Sequence, residues 1–178
     1  MKVCVGPLLK QALGDHIDLH VEESPVDPRG ENAGLLDADI TSFDADIKAT
    51  HTDPGAYLEG GVRARVEQQC VRCLRPVRSP VDARLAEQYY ATERVETGAP
   101  MPQPPRDAKT IGSDFLIDLT PLIREEVILA TPQAPLCRAD CKGLCPVCGE
   151  DLNERPHEHE SPPDTRWSAL ETLKDMKD

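Results

Sequence analysis

The chain is poor in aromatics: Phe, Tyr and Trp together make up 3% of its 178 residues. A core built without large rings stays modest, so an extensive stacked-aromatic interior is excluded. No run approaches the ~20 apolar residues of a membrane span. The opening Met1-Lys-Val-Cys-Val-Gly-Pro-Leu-Leu-Lys10 is too short and too broken by Gly6 and Pro7 for a secretory h-region. No Gly-rich phosphate loop, nucleophile elbow or His-Glu-x-x-His occurs, so the common signatures of nucleotide binding, acyl transfer and metalloprotease catalysis are all missing. The expectation is a cytoplasmic protein that is not an enzyme.

Positive charge is also scarce. The net charge is −12, which argues against nonspecific nucleic-acid or membrane binding. From Asp15 to Glu59 only Arg29 and Lys48 oppose the carboxylates. The balance then reverses: Arg63, Arg65, Arg72, Arg75, Arg78 and Arg84 face only Glu67 and Asp82. Such a strip is either a solvated strand face or a local surface for a phosphate backbone.

Proline, by contrast, is abundant at 17 residues, and its placement divides the chain. Residues 1–96 read as β-rich, 97–110 as a Pro-rich loop, and 111–178 as a helix, a cysteine-rich segment and a C-terminal helix. Ile17–Val21 and Asp37–His51 read as strands flanking a turn-rich run through Pro25, Pro28 and Gly30, and Asp53-Pro-Gly55 is a turn. Tyr57–Gln69 alternates, with Val62, Ala64 and Val66 on one side and Arg63, Arg65 and Glu67 on the other. Val77, Ser79, Val81, Ala83 and Leu85 resume the alternation after Cys70-Val-Arg-Cys73, so a long β-hairpin carries a cysteine pair at its tip. Thr120 and Pro121 suit an N-cap and first helical turn, with Leu119, Leu122, Ile123, Val127 and Ala130 as the packing stripe. Trp167, Leu170, Leu173 and Met176 mark a second amphipathic helix over Asp164–Met176. The fold class expected is α+β: an antiparallel hairpin and sheet with two short helices and a C-terminal knuckle region.

Seven cysteines in a reducing compartment suggest metal ligands before disulfides. Cys4 stands apart as an ordinary thiol. The sharpest motif is Cys145-Pro-Val-Cys148-Gly149, a zinc knuckle whose glycine lets backbone N–H groups turn toward sulfur. A closed tetrahedral site needs further ligands. Three sources are open: Cys137 and Cys141 upstream, His157 and His159 downstream, or the hairpin pair Cys70 and Cys73. Local closure by Cys137 and Cys141, or a mixture with one histidine, costs least in loop entropy and is preferred, giving about one structural zinc per chain. A redox role for Cys70 and Cys73 is disfavoured between strands, where no helix N-terminus lowers a thiol pKa. The spacing does not match the ferredoxin run of an iron–sulfur protein.

Cys70-x-Arg-Cys73-Leu, Ile117-Asp-Leu, Arg124-Glu-Glu126, Leu129-x-x-Pro132, Pro135-Leu-Cys137, Asp140-Cys-Lys-Gly-Leu-Cys-Pro-Val-Cys-Gly149 and Asp164-x-Arg-Trp167 occur in that order. Over residues 55–175 this resembles the large ribosomal RNA subunit accumulation protein (YceD) family. Relatives carry Cys-x-Cys where this chain has His157-Glu-His159, an exchange that keeps ligand capacity. Asp164-Thr-Arg166 departs slightly from the family's Asp-Pro-Arg. The resemblance implies a role in accumulation or processing of large-subunit ribosomal RNA, with that RNA, its precursor or a basic ribosomal protein as partner. Some members lack the C-terminal cysteines, which implies that zinc is scaffold. The arginine strip, residues 63 to 84, is the expected RNA-facing surface, and the acidic N-terminal half is the alternative, a protein-binding adaptor surface.

Overall fold

A computed structural model describes residues 1–23 and 40–159. The expected C-terminal helix and the turn-rich run from 24 to 39 lie outside the described residues. The remainder is mostly sheet. Strands β1 (Lys2–Cys4), β2 (His16–Glu23), β3 (Ile40–Thr52), β4 (Gly55–Gln69), β5 (Pro76–Ala91), β6 (Lys109–Ile111) and β7 (Leu116–Asp118) are joined by helices α1 (Gly6–Leu9) and α2 (Leu119–Ala130). A five-stranded sheet runs β2-β3-β4-β5-β6, and β1 pairs separately with β7. All pairings are antiparallel except β5 with β6, so the large sheet is mixed.

The alternation along β4 and β5 fixes their register. Val62 stands opposite Ala83, Ala64 opposite Val81 and Gly60 opposite Leu85. A one-residue slip would turn these side chains to solvent. The buried face is built from small and branched residues, among them Ala45, Ile47, Leu58, Ala64, Ala83 and Leu85, and α2 covers it with Leu119, Leu122, Ile123 and Val127. Phe43 and Tyr89 are the large rings buried in this core. The core therefore draws on both regions that the Pro-rich loop separates in sequence. Lys109 helps fasten them, with its Nζ 2.7 Å from Glu125 on α2 and 3.5 Å from Glu87 on β5.

Several local expectations are corrected. The N-cap of α2 is Asp118, not Thr120: its carboxylate accepts the Thr120 N–H at 3.0 Å. The chain passes directly from β7 into the helix, so the last strand residue is already in capping position. The Thr120 hydroxyl instead accepts from the Met1 ammonium at 2.5 Å. Pro121 falls third in the helix, where a missing N–H still costs nothing. Ala130 is exposed rather than packed. Helix α1, missed in the sequence, is too short to show periodicity. The irregular segment ends at residue 108, because Lys109 and Thr110 already pair with Tyr89 and Tyr90. Among the described residues, no helix is long and apolar enough to cross a membrane.

Candidate metal centres

The β4–β5 hairpin closes on Cys70-Val-Arg-Cys73-Leu-Arg75 through two hydrogen bonds. Cys70 N–H donates to the Arg75 carbonyl at 2.8 Å, and Leu74 N–H donates to the Cys70 carbonyl at 2.9 Å. The second cysteine pair repeats this turn. Cys145 N–H donates to the Glu150 carbonyl at 2.8 Å, and Gly149 N–H donates to the Cys145 carbonyl at 2.8 Å. Both turns need a left-handed residue after the second cysteine: Gly149 at φ 76° in one, Leu74 at φ 59° in the other. Even the flanking pairing matches, Gln69 with Pro76 and Leu144 with Asp151. The chain thus carries the same knuckle twice.

Each knuckle meets a different second pair. The sulfurs of Cys70, Cys73, Cys137 and Cys141 lie within 4.8 Å of one another, and so do the ligand atoms of Cys145, Cys148, His157 and His159. Local closure of Cys137 and Cys141 onto Cys145 and Cys148 is therefore not the grouping found. The loop-closure cost is already met by the sheet and α2, which bring residue 132 to the hairpin, where the Gln68 side-chain amide donates to the Pro132 carbonyl at 3.0 Å. Val71 N–H then donates to the Pro135 carbonyl at 3.0 Å, which lays Cys137 beside the tip. All seven cysteines are free thiols, and exposed Cys4 joins neither group.

The distances suit an ion. Tetrahedral thiolates with metal–sulfur bonds of about 2.3 Å stand about 3.8 Å apart. Cys70 and Cys141 are 3.9 Å apart, and Cys73 and Cys137 are 3.6 Å apart. In the other group Cys148 Sγ is 3.1 Å from His157 Nε2. His157 Nδ1–H donates to the Arg155 carbonyl at 2.8 Å, which leaves the Nε2 lone pair free for a metal. The rings of His157 and His159 meet edge to face with centroids 4.9 Å apart.

The thiol acidities show the crowding that a cation would relieve. In each group one sulfur is held low: Cys70 at about 6 by the Cys137 N–H, and Cys145 at about 6 by the Cys148 N–H. Three of the other thiols, Cys73, Cys137 and Cys148, move the other way. Burial and the adjoining sulfurs push Cys137 up to about 12. Cys73 and Cys148 are also raised, despite the N–H groups of Arg75 and Glu150, by burial and by neighbouring sulfur. Without a metal, one thiolate per group is favoured and a second is resisted.

The two groups are braced against each other. Arg72 Nη1 donates to the Cys141 carbonyl at 2.6 Å, while the Arg72 carbonyl accepts from Leu144 N–H at 3.0 Å. Gly143 makes that approach feasible, since a Cβ there would stand 2.9 Å from the Arg72 oxygen. Arg75 reaches Asp151 at 2.8 Å and also pairs with Glu154. Asn153 is the hub. It accepts from Lys142 N–H at 2.8 Å and Arg138 Nη2 at 2.7 Å, and its Nδ2 donates to Cys141 Sγ at 3.5 Å. Replacing Asn153 by alanine is expected to weaken metal affinity at the tetrathiolate by about ten-fold or more. Competition with a chelator of known affinity reads the change.

Three of the six arginines in the strip are neutralised by carboxylates. Arg63 pairs with Asp44 and Asp46, Arg75 with Asp151 and Glu154, and Arg78 with Glu67 at 3.0 Å. Arg65 and Arg84 stand exposed on the outer sheet face with no carboxylate partner among the described residues. A third cluster, His20, Glu22 and Asp44, lies on the same face. It is accounted for by ion pairing, with His20 Nδ1 2.8 Å from Asp46.

Residues 58–174 match the family model described as Large ribosomal RNA subunit accumulation protein YceD. Uncharacterized proteins of Mycobacterium bovis and Mycobacterium tuberculosis are 35% identical over 137 residues, covering 72% of this chain and 60% of theirs. An uncharacterized protein of Mycobacterium leprae is 31% identical over 128 residues, covering 70% of this chain and 56% of its own length. The chain thus spans less than two thirds of these relatives. No solved structure matches.

Proposed function

We propose, from the premise that this chain belongs to the large ribosomal RNA subunit accumulation protein YceD family, that it is a non-enzymatic factor supporting accumulation and processing of large-subunit ribosomal RNA, braced by two structural zinc ions. The observation that carries the metal half of this reading is the twice-repeated knuckle, each completed by a second pair of donors. Four sulfur or imidazole donors at tetrahedral spacing select zinc over the hard cations, which take oxygen. Four protein ligands per ion leave no open position for a reactive water, in keeping with a scaffold. A cytoplasmic location accords with this reading, since reducing conditions keep the thiols available.

Contact with precursor RNA falls to the charges that the protein does not neutralise itself. Arg65 and Arg84 lie on the outer face of β4 and β5, and Arg72 at the hairpin tip bonds a carbonyl rather than a carboxylate. Replacing Arg65 and Arg84 together by glutamate is expected to weaken binding to large-subunit RNA. It should also lower the salt slope by about 2. Arg72 is left intact because it also braces Cys141. Unchanged affinity and slope at two salt concentrations would remove this face from the reading.

A second reading is an adaptor that holds a basic ribosomal protein. The internal pairing of Arg63, Arg75 and Arg78 and the net charge of −12 favour it. Pull-down after RNase treatment separates the two, because an adaptor retains its partner and an RNA binder does not.

A further inference from the structure

The two metal groups differ in what surrounds them, and we propose that Cys145, Cys148, His157 and His159 form an exchangeable zinc site while the tetrathiolate retains its ion. The inference rests on the reading that both groups hold zinc. In the tetrathiolate, Cys70, Cys73 and Cys141 are buried, and Val77, Leu136 and Leu144 pack around them. Cys137 is the one exposed sulfur of this group, so an incoming ligand meets the apolar shell on every side but that one. In the second group Cys145 alone is buried; Cys148 and His159 are exposed, and His157 is half-buried. No apolar cluster encloses it among the described residues. Access of solvent and competing ligands to a metal is set by this shell.

The tethers differ in the same sense. The tetrathiolate joins segments whose cysteines are 64 residues apart, Cys73 and Cys137, both fastened to the sheet. Losing one ligand there leaves the others in place, poised to recapture the ion. The second group is confined to residues 145–159, and among the described residues His159 is held, beyond its place in the ligand group, only by its edge-to-face packing with the His157 ring. Exchange can therefore begin at His159: its imidazole leaves with its own lone pair, and a donor atom of the incoming ligand takes the vacated position on zinc. His157 and the two thiolates follow, and no electron changes hands. The anchors of this loop are independent of its own ion. They are the Leu144 bond to Arg72, the Asn153 bond to Cys141 and the Arg75 bridge to Asp151. Emptying the second site thus leaves its first half seated against the tetrathiolate, ready to reload as zinc becomes available.

The test mixes the zinc-loaded full-length chain with excess 4-(2-pyridylazo)resorcinol and follows zinc release by absorbance. Two phases of equal amplitude are expected, their rates separated by about ten-fold or more. His159→Ala should accelerate the fast phase and leave the slow one unchanged. Protein recovered after the fast phase and refilled with cobalt(II) should show the absorption of a mixed sulfur–nitrogen site. Release of both ions in one phase would overturn the inference, and so would a slow phase altered by His159→Ala, with the zinc reading intact. Protein that binds no zinc at the outset overturns both.

Discussion

Replacing Cys141 by serine is expected to remove one of two zinc equivalents and lower the thermal midpoint by roughly 8–16 °C. Cys141 is 1% exposed and takes part in three of the contacts that hold the centre together. Its sulfur faces Cys70 at 3.9 Å, it accepts the Asn153 amide at 3.5 Å, and its carbonyl accepts Arg72 at 2.6 Å. A serine oxygen is a poor substitute for a thiolate on a soft site. Structural zinc supplies folding free energy directly, about 10–16 kcal/mol in zinc-finger peptides. Only part of that is expected to be lost here, because the β4–β5 ladder is held by its own pairing from Gly55 to Gln69. A net loss of about 4 kcal/mol corresponds to a drop of roughly 8–16 °C in a chain of this size. The ordered contacts between the hairpin tip and residues 132–144 should become sensitive to protease in the variant, and a chelator should reproduce the effect in the wild type. Calorimetry with metal analysis on the same samples checks both.

Gly60→Ala is expected to cost about 3 kcal/mol or more, whereas Gly61→Ala next to it should change stability by only about 0.5 kcal/mol. A Cβ on Gly60 would stand 2.2 Å from the Asp46 carbonyl oxygen and 2.9 Å from the Ile47 Cα. Both are backbone atoms of β3, so no side chain can swing aside, and β3 and β4 must separate where Ile47 faces Gly60. Gly61 points the other way, with no atom within 4 Å of the corresponding Cβ. Urea unfolding of the zinc-saturated variants compares the two. Equal midpoints would mean that the strands do not approach closely at Gly60.

The strand pattern was legible because one face of a two-sided sheet imposes strict alternation. Val62, Ala64 and Val66 against Arg63, Arg65 and Glu67 place β4 and, with Val81, Ala83 and Leu85, the whole hairpin. The knuckle at Cys145 was equally plain. The partner of each knuckle was not, because the sheet brings Cys137 and Cys141 to the distant Cys70 and Cys73 rather than to the neighbouring Cys145 and Cys148. A stoichiometric signal was present: Cys70, Cys73, Cys137, Cys141, Cys145 and Cys148 with His157 and His159 supply donors for two four-coordinate ions, not one. The charge balance of the arginine strip was only partly legible for a related reason. Arg63 looks unopposed along β4, yet its counter-charges, Asp44 and Asp46, come from β3, and Arg75 finds Asp151 across the metal region. Cross-strand neighbours are fixed by register, which composition along one strand does not reveal.

Zinc K-edge X-ray absorption on protein whose metal content has been measured tests the double centre most directly. Two zinc ions per chain, with an average shell of three sulfurs and one imidazole nitrogen, are expected from one Cys4 and one Cys2His2 site. A single zinc with four sulfurs, unaffected when Cys70 and Cys73 are both replaced, would instead mean that residues 137–148 close on themselves.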